Sequence, residues 1–481
     1  MAKVLFIASE MVPYCKSGGL ADVAGAFPDA LARVGEEVRT VLPFYSFAKA
    51  KNLEKGADFH IHISGWKVDG TLVYHHVNGV KRYLVHQPHY YHRDGIYGDS
   101  HGDFGDNDER FAYLCEAALL MCKIENWKPD IIHINDWQTG ILGPILRLKY
   151  AQDPFFYGTK IVFTIHNLAY QGWFGPTIHR KFDLSDSVMR FDGMEMHGSS
   201  SYLKAGLQYS DFITTVSPTY AWEIQGSEYG CGMEYVLQAR SNRIFGILNG
   251  IDMDEWNPAT DPHLGGYNYS ADEMGNKEIL KQKFLESLGL PFWKHVPLMG
   301  IVARFAAQKG IRLLESAFEE ILAKGTQIVV LGSGEQQFAN SLKYFESKYP
   351  RQVRAFIKYD NTLAHLIEAA SDYFLMPSRY EPCGLNQMYS LRYGTIPIVF
   401  STGGLADTVF DCDEHPDNGN GYVFHQYSRE AFLNAVDRAL GLYNYPEVRY
   451  VVQQRGMRTD FSWEKSAHVY QQLYSALIKG Y

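Results

Sequence analysis

The sequence predicts an α/β protein built from two doubly wound, Rossmann-like domains that face each other across a deep cleft. Three observations predict this fold class. The chain has 481 residues, more than one ordinary hydrophobic core accommodates. Strand and helix patterns alternate along both halves of the chain. Polar or glycine-rich motifs follow several of these strands, where parallel sheets bind ligands. Small-molecule sites commonly lie between two such domains.

The composition is that of a globular protein, with 46% hydrophobic and 21% charged residues. The net charge of −9 argues against nucleic acid as a partner, because binding to a phosphate backbone needs a basic surface. The six cysteines are scattered without a C-x-x-C pair, which predicts reduced thiols. No apolar run approaches the roughly 18 residues that span a bilayer. We therefore expect a cytoplasmic protein with no membrane partner.

The first domain is predicted to cover residues 1–255. Its opening βαβ unit is a strand at 4–8, a helix at 21–34 that Gly35 ends, and a strand at 37–42. Alternating β-branched and polar residues then predict an antiparallel hairpin insertion near 59–85. The same alternation continues with helices at 111–125 and 139–150, strands at 131–134, 160–164 and 212–216, and a helix from Pro218.

Residues 251–276 are rich in Asp, Asn, Gly and Pro without an apolar period, which is typical of a connection between domains. The second domain is predicted to cover 256–460 and the remaining residues, 461–481, to form a helix that packs back on the first domain. The second domain has predicted strands at 298–302, 327–331, 354–358, 373–376, 396–400 and 421–423, and helices at 311–323, 338–348, 363–370 and 428–442.

A short loop between the first strand and the first helix carries Lys16, Gly18 and Gly19. Paired glycines let the backbone approach a ligand, and backbone amides at a helix N-terminus attract anions. The spacing is neither G-x-G-x-x-G nor that of a P-loop, so a dinucleotide fold signature is absent. A flexible surface loop remains the alternative.

Two further clusters of polar residues end buried strands of the first half. His133, Asn135 and Asp136 end one strand, and His166 with Asn167 ends another. Buried polar groups are costly unless partnered, so such clusters usually face a cleft. Asn249 closes the first half in the same way. A hydrogen-bonded core histidine is the alternative for either ring.

The second half repeats this arrangement with charged residues. Arg304 and Lys309 follow the strand at 298–302, where an arginine fork and a lysine point charge can converge on one diphosphate. Gly332 and Gly334 form a close-approach turn after the next strand. A solvated pair of surface charges is the alternative for the two cations.

The most informative segment is residues 379–387, which follow a buried strand. Glu381 is held by the rigid Pro382 at the end of a central strand, so its carboxylate is expected in the ligand crevice. Combined with the cations at 304 and 309, this predicts a glycosyltransferase that uses a nucleotide sugar.

Two patterns that suggest metal binding are set aside. His86, His89 and His92 recur every three residues, but they lie in a hairpin and loop where they need not share a face. Asp-x-Asp tripeptides arise by chance. Arg304 and Lys309 already supply the positive charge that a metal would, so no metal is expected.

With these motifs in order, the chain resembles the bacterial glycogen synthases and plant starch synthases, glycosyltransferases of the GT-B fold. The resemblance runs almost end to end, from the Lys16 loop to Thr402-Gly-Gly-Leu405. It implies ADP-glucose as donor, an α-1,4-glucan such as glycogen as acceptor, retention at the anomeric carbon, and neither cofactor nor metal. Closure of the cleft would hinge on residues 251–276 and the C-terminal helix.

The resemblance implies five catalytic residues: Lys16, His166, Arg304, Lys309 and Glu381. It implies substrate contacts from Gly18, Gly19, Asp22, Asp136, Asn167, Asn249, Gly332, Gly334, Cys383, Gly384, Leu385, Asn386, Thr402 and Gly403.

The sequence also departs from the wider pattern of retaining GT-B enzymes at two positions. Tyr389 stands where a second glutamate is common, and Asn386 where a threonine is frequent. Three alternatives stay open at this point: a GT-B transferase that uses UDP-glucose, one that uses another acceptor, and a non-catalytic glucan-binding regulator. The missing G-x-G-x-x-G disfavours an NAD-dependent oxidoreductase.

Overall fold

A computed structural model describes residues 1–480 and divides the chain into two compact units. The first unit contains Met1–Gly250 and the residues from Trp463 onward, and the second is Ile251–Ser462. The second unit therefore starts five residues before the predicted boundary and ends two residues after it. The reason is a backbone pairing at its two ends, where the Ile251 N–H donates to the Phe461 carbonyl at 2.8 Å.

The first unit is built on a nine-stranded sheet. Seven neighbouring strands are parallel, and the 66–77 and 54–63 strands extend the sheet at one edge in antiparallel fashion. Hence the segment predicted as an insertion belongs to the main sheet. Across the sheet the order is Ile244–Gly246, Phe212–Thr215, Lys160–Ile165, Ile131–Asn135, Lys3–Ile7, Glu37–Pro43, Val80–His86, Trp66–Val77 and Glu54–Ile63.

The helices of the first unit follow its strands, as a parallel sheet requires. Gly35, at φ +98°, ends the first helix, because glycine takes the left-handed conformation without strain. The α-helices are Gly19–Arg33, Pro88–Tyr91, Asn107–Ile124, Asp136–Gly140, Leu142–Pro144, Tyr202–Tyr209, Pro218–Glu223, Glu234–Ala239 and Trp463–Lys479. Two small sheets accompany them, one of Trp173–Phe174, Glu195–Met196 and Ser199–Ser201 and one of Gly98–Asp99 and Gly102–Asp103.

The C-terminal helix, Trp463–Lys479, packs against the Gly19–Arg33 helix of the first unit. Its Tyr474 hydroxyl lies 2.6 Å from Nδ1 of the buried His133, and Gln471 Nε2 donates to the Val34 carbonyl at 2.8 Å. A helix distant in sequence thus completes the hydrophobic cover of this sheet.

The second unit contains six strands, all parallel, in the 3-2-1-4-5-6 order of a Rossmann fold. Its direction of winding reverses between the neighbouring strands Leu298–Phe305 and Tyr373–Met376. Such a reversal leaves a crevice beyond the carboxyl ends of the two strands. Across the sheet the order is Val353–Ile357, Gln327–Gly334, Leu298–Phe305, Tyr373–Met376, Ile396–Phe400 and Tyr422–Phe424.

Several helices of the second unit bury apolar residues in one core with this sheet. In Ile311–Ala323, for example, Leu314, Phe318 and Ile321 recur at helical spacing and are fully buried. The α-helices are Gly275–Ser287, Ile311–Ala323, Gln336–Lys348, Asn361–Ala370, Asn386–Arg392, Gly403–Thr408, Arg429–Tyr443 and Pro446–Arg458.

Two local predictions are wrong. The helix expected at 139–150 is broken into Asp136–Gly140, Leu142–Pro144 and a π-helical turn at Ile145–Lys149, because Pro144 lacks the N–H that a continuous helix needs. Residues 251–276 are not a bare connection. The Asp261 side chain is buried and receives a hydrogen bond from the Tyr393 hydroxyl at 2.5 Å, so the segment belongs to the second unit.

Within residues 1–480, no helix combines the length and the apolar character that crossing a membrane would take.

Candidate active site

A pocket in the second unit occupies the crevice where its sheet reverses direction. Arg304 reaches it from the last paired residues of the strand Leu298–Phe305, which extends three residues beyond its predicted end. Lys309 reaches it from the turn after this strand, and Glu381 from beyond Tyr373–Met376. Gly384, Leu385 and Asn386 complete this wall. Six of the predicted site residues therefore meet at the place where parallel sheets bind ligands.

The strongest contact in this pocket joins a lysine to a carboxylate. Lys309 Nζ lies 2.6 Å from Glu381 Oε2, and the two side chains are 22% and 7% exposed. Arg304 is exposed, with one guanidinium nitrogen 3.5 Å from Gln308 Oε1. Two cations and one carboxylate leave the pocket with a surplus positive charge, which suits an anionic ligand.

A glycine fixes the turn that carries Lys309. Gly310 has φ +71°, and a Cβ there would lie 1.7 Å from the Pro377 carbonyl oxygen. Gln308 ties the same turn to the Glu381 loop, since its Nε2 donates to the Tyr380 carbonyl at 3.2 Å. The geometry between Lys309 and Glu381 is therefore held by the backbone of both loops.

Cys383, Thr402 and Gly403 are predicted to contact substrate and are not among the residues that line this pocket. Gly403 packs against the Glu381 loop. A Cβ on Gly403 would lie 2.0 Å from the Glu381 carbonyl oxygen, which also accepts the Gly404 N–H at 3.1 Å. Cys383 is buried, and its carbonyl accepts from Gln387 Nε2 at 3.0 Å. Gly403 thus packs its backbone directly against the Glu381 loop, because glycine lets two backbones approach closely.

Gly332 and Gly334, also predicted to contact substrate, are not among the residues that line the pocket. Both belong to the strand Gln327–Gly334 and pair with Ala303 and Phe305. A Cβ at either glycine would come within 2.3 Å of a carbonyl oxygen on the neighbouring strand. Their small size allows strand pairing to continue up to Arg304.

The helix after the Glu381 loop explains both departures from the wider pattern. Asn386 Nδ2 donates to the Val302 carbonyl at 2.8 Å. The Asn386 side chain therefore ties the helix after the Glu381 loop to the strand Leu298–Phe305. The Tyr389 ring stacks on Trp256 with centroids 3.7 Å apart and an interplanar angle of 9°. One face of Tyr389 is therefore covered by the segment that precedes Asp261.

In the first unit, the Lys16 loop lies at the corresponding reversal, between strands Lys3–Ile7 and Ile131–Asn135. Lys16 Nζ pairs with Asp22 Oδ1 at 2.7 Å. The Gly18 N–H, expected to bind substrate, instead donates to Glu10 Oε2 at 3.3 Å, and the Ser17 N–H donates to the same oxygen. Gly19 begins the helix that carries Asp22.

Burial raises the pKa of both carboxyl groups beside this loop, Glu10 and Asp22. At Glu10 the hydrogen bonds from the Ser17 and Gly18 amides oppose that rise, and at Asp22 the charge of Lys16 does.

Asp136 organises the neighbouring strand ends. Its backbone has φ 54°, an unusual conformation for an aspartate, and its Oδ1 accepts the N–H groups of His166 at 2.7 Å and Asn167 at 3.4 Å. Burial raises the pKa of Asp136 to about 7, although these two hydrogen bonds lower it. A buried carboxyl thus fixes the backbone of the predicted catalytic histidine.

The His166 ring points into the interior of the unit. Its Nε2 lies 2.9 Å from Asn135 Oδ1, and burial lowers the pKa of the imidazole to about 3. Together with Asn249, His166 lines a small internal pocket. The ring is therefore neutral at physiological pH.

The comparisons with known proteins agree along the whole chain. Residues 3–239 match the family model described as starch synthase catalytic domain, and residues 291–450 match glycosyl transferases group 1. The glycogen synthase of Syntrophotalea carbinolica is 43% identical over 479 residues, 99% of each chain. The glycogen synthase of Koribacter versatilis is 44% identical and covers 98% of this chain and 97% of its own. The chain belongs to the glycogen synthase and starch synthase family.

Solved structures place this family member in the GT-B fold. The catalytic domain of starch synthase IV from Arabidopsis thaliana, bound to ADP and acarbose, matches with a TM-score of 0.92 and 35% identity over 99% of each chain. Sucrose-phosphate synthase from Thermosynechococcus elongatus matches with a TM-score of 0.61 at 18% identity over the full length of both chains, a likeness of fold alone. The protein is a glycosyltransferase with two Rossmann-like domains.

Sequence analysis of this chain did not assign to the site three residues that shape it. Glu10 is 3% exposed and holds the Lys16 loop, Asn135 is 1% exposed and holds the His166 ring, and Gly310 fixes the Lys309 turn. Each had a signal: an acidic residue three positions after the end of an apolar strand, an amide in a cluster already noted, and a glycine directly after the lysine.

Among the described residues, one group of three could offer ligand atoms to a metal ion, namely Asp261, His263 and His365, with these atoms within 4.8 Å of one another. It lies outside the lined pocket. Its hydrogen bonds account for its arrangement, since His365 Nδ1 lies 2.8 Å from Asp261 Oδ2 and Tyr393 donates to the same carboxylate.

Proposed function

We propose that this glycosyltransferase moves glucose from ADP-glucose to the non-reducing end of an α-1,4-glucan, with retention at the anomeric carbon and without metal or cofactor. The observation that carries the proposal is the pocket of the second unit, which Arg304, Lys309 and Glu381 line together. A cytoplasmic location, expected from the scattered cysteines, is part of the proposal.

The ligands of a relative support the choice of substrates. Starch synthase IV from Arabidopsis thaliana was solved with ADP and acarbose, and it is 35% identical to this chain over 99% of both. ADP is the leaving group that transfer from ADP-glucose releases. We infer that the present chain uses the same nucleotide and a glucan acceptor.

In the proposed reaction, Arg304 and Lys309 stabilise the departing diphosphate. Breaking the glucosyl–phosphate bond places negative charge on that group and oxocarbenium-like charge on the sugar. Cations that are already in position stabilise such developing charge without reorganisation. This electrostatic stabilisation is commonly the largest single contribution to catalysis. Lys16, paired with Asp22 at 2.7 Å, is assigned the same role from the first unit.

Glu381 is assigned to the glucose hydroxyls. Its carboxylate is 93% buried and already aimed into the pocket, where hydroxyl groups donate readily to a carboxylate. The Gly403 and Gly404 backbone fixes this loop from behind. Glu381 thereby orients the sugar ring relative to its own leaving group.

His166 is assigned to the sugar through its backbone carbonyl. The side-chain Nε2 is engaged by Asn135 and the ring is neutral, so the imidazole is poorly placed to act as an acid. Two carboxylates flanking the reacting carbon, as in a retaining glycosidase, are not among the residues assigned here. We therefore favour front-face transfer, in which the acceptor hydroxyl gives its proton towards the leaving phosphate.

Initial rates with ADP-glucose and UDP-glucose on glycogen primer test the proposal. We expect primer-dependent ADP release, a higher kcat/KM for ADP-glucose, and a product that α-1,4-specific amylases digest. Glu381→Gln serves as the inactive control, because an amide keeps the size and loses the charge. Faster turnover of UDP-glucose would favour the alternative donor. Glucan binding without release of either nucleotide would identify a regulator and refute the proposal.

A further inference from the structure

Asn135 is the last residue of a buried strand and forms side-chain hydrogen bonds in two directions. Its Nδ2 donates to the Ile7 carbonyl on the neighbouring strand at 2.9 Å. A carbonyl oxygen only accepts, so this bond decides which end of the amide faces which partner. Asn135 Oδ1 must therefore face His166 Nε2, which lies 2.9 Å away.

This orientation determines the tautomer of the His166 ring. Asn135 Oδ1 only accepts, so Nε2 must carry the proton and donate it. The ring holds one proton rather than two, since burial lowers its pKa to about 3. His166 is thus a neutral imidazole protonated on Nε2.

Two consecutive residues, Asn135 and Asp136, hold the side chain and the backbone of His166. Asn135 fixes the ring, and Asp136 Oδ1 accepts the backbone N–H at 2.7 Å. The φ of 54° at Asp136 turns its carboxylate back towards that N–H. The Asn167 N–H, which shares a peptide plane with the His166 carbonyl, donates to the same Asp136 oxygen at 3.4 Å. The direction of the His166 carbonyl is therefore restrained as well.

We propose that Asn135 is a positioning residue, which holds the His166 ring in the Nε2-protonated tautomer so that the residue presents its backbone carbonyl to the reacting sugar. The inference rests on the role proposed for His166. It also predicts that the ring is an anchor rather than a catalytic acid or base. Loss of Asn135 should then misdirect the carbonyl while the donor pocket of the second unit stays intact.

The first test separates turnover from donor binding. Asn135→Ala is expected to lower kcat by about tenfold to a hundredfold, because small misplacements of a catalytic group have effects of that size. KM for ADP-glucose should change less than about twofold. His166→Ala should cause a similar loss, and the double variant should lose no more than either single one. Additive losses would overturn the inference.

Thr214→Val is the matched control. Thr214 is buried in the same sheet and hydrogen-bonds Thr164 Oγ1 at 2.6 Å, without contact to His166. It should lower the melting temperature about as much as Asn135→Ala does and leave kcat unchanged. If kcat falls equally in both variants, the role of Asn135 is structural and the proposal is wrong.

The second test reads the ring directly and needs no substrate. Nitrogen-15 spectra of histidine-labelled protein, assigned with His166→Gln, should show the Nε2-protonated form in the wild type and a mixture of tautomers in Asn135→Ala. An unchanged tautomer in the variant would overturn the inference. Since this readout is independent of turnover, it distinguishes failure here from failure of the proposed reaction.

Asn135→Asp provides the pH test. A carboxylate facing Nε2 should raise the pKa of His166, so that the kcat of the variant changes with pH in a range where the wild-type ring does not titrate. Three other titratable groups bear on this comparison: His133, which interacts with the His166 ring, Asp136, and Glu10, which interacts with Asp136. All three are the same in both proteins. Identical pH profiles for wild type and Asn135→Asp would contradict the proposal.

Discussion

Replacing Lys309 by alanine should abolish most turnover, and the structure allows the effect to be divided into two parts. The first part is catalytic. Losing one preorganised donor to a developing anion costs roughly 3 kcal/mol of transition-state stabilisation. At about 1.4 kcal/mol per tenfold change, this predicts a fall in kcat of about a hundredfold. Donor affinity should change much less, because the charge develops fully only in the transition state.

The second part concerns stability. Lys309 Nζ is 2.6 Å from Glu381 Oε2, and Glu381 is only 7% exposed, so the substitution leaves a buried carboxylate without this partner. Breaking a fully buried pair costs about 3–5 kcal/mol, and the 22% exposure of Lys309 reduces that here to roughly 1–3 kcal/mol. Adding Glu381→Gln removes the unpaired charge and should restore much of the stability. Activity should stay low.

Steady-state ADP release and urea unfolding measure the two parts on the same proteins. Lys348→Ala is the control, since Lys348 also forms a 2.6 Å ion pair, with Glu319, but both side chains are more than 40% exposed. It should change stability much less than Lys309→Ala does, because exposed ion pairs contribute little, and it should leave kcat unaltered. If Lys309→Ala keeps kcat within twofold of wild type, the leaving-group role is refuted.

Three other changes have defined outcomes. Gly310→Ala should lower kcat and the melting temperature together, because its Cβ would meet the Pro377 carbonyl; unchanged thermal unfolding would contradict the close approach. Glu10→Gln should raise KM and change the melting temperature little, since the Ser17 and Gly18 N–H groups lose their charged acceptor. Kinetic constants equal to those of the wild type would show that Glu10 does not determine the conformation of the Lys16 loop. Folding depresses the pKa of His133 to about 3, so its contribution to stability is complete above pH 6.5 and is lost as pH falls towards 3. His133→Gln should therefore reduce the acid-side slope of unfolding free energy by up to about 1.4 kcal/mol per pH unit, and an unchanged slope in urea titrations would refute this.

The sequence predicted the parallel sheets and the strand-end motifs because both depend on local patterns. A buried parallel strand is a short continuous apolar run, and a polar group directly after it lies at the edge where ligands bind. Arg304, Lys309 and Glu381 were found in this way, and they meet in one pocket. The family resemblance supplied the substrates, which no pattern in the residues could have specified.

Sequence alone could not show how the small residues of the predicted site are packed. Gly332 and Gly403 look like glycines that admit a ligand, yet in the structure they admit a neighbouring backbone. Sequence alone cannot distinguish the two uses, since both need only the absence of a Cβ. Gly18 was assigned to the substrate for the same reason, whereas its amide donates to Glu10, eight residues earlier.

The Lys309–Glu381 pair suggests how binding of the diphosphate and placement of the sugar are linked. In the unliganded chain the two side chains neutralise each other at 2.6 Å. A diphosphate carries more charge than one carboxylate, so it competes with Glu381 for Lys309. When Lys309 turns to the phosphate, Glu381 regains the capacity to accept hydrogen bonds, and the hydroxyl groups of the sugar can donate them. A sugar without the diphosphate would meet a carboxylate that is already paired. The same ion pair therefore favours the intact nucleotide sugar over free glucose, because only the complete donor supplies a replacement partner for each of the two residues.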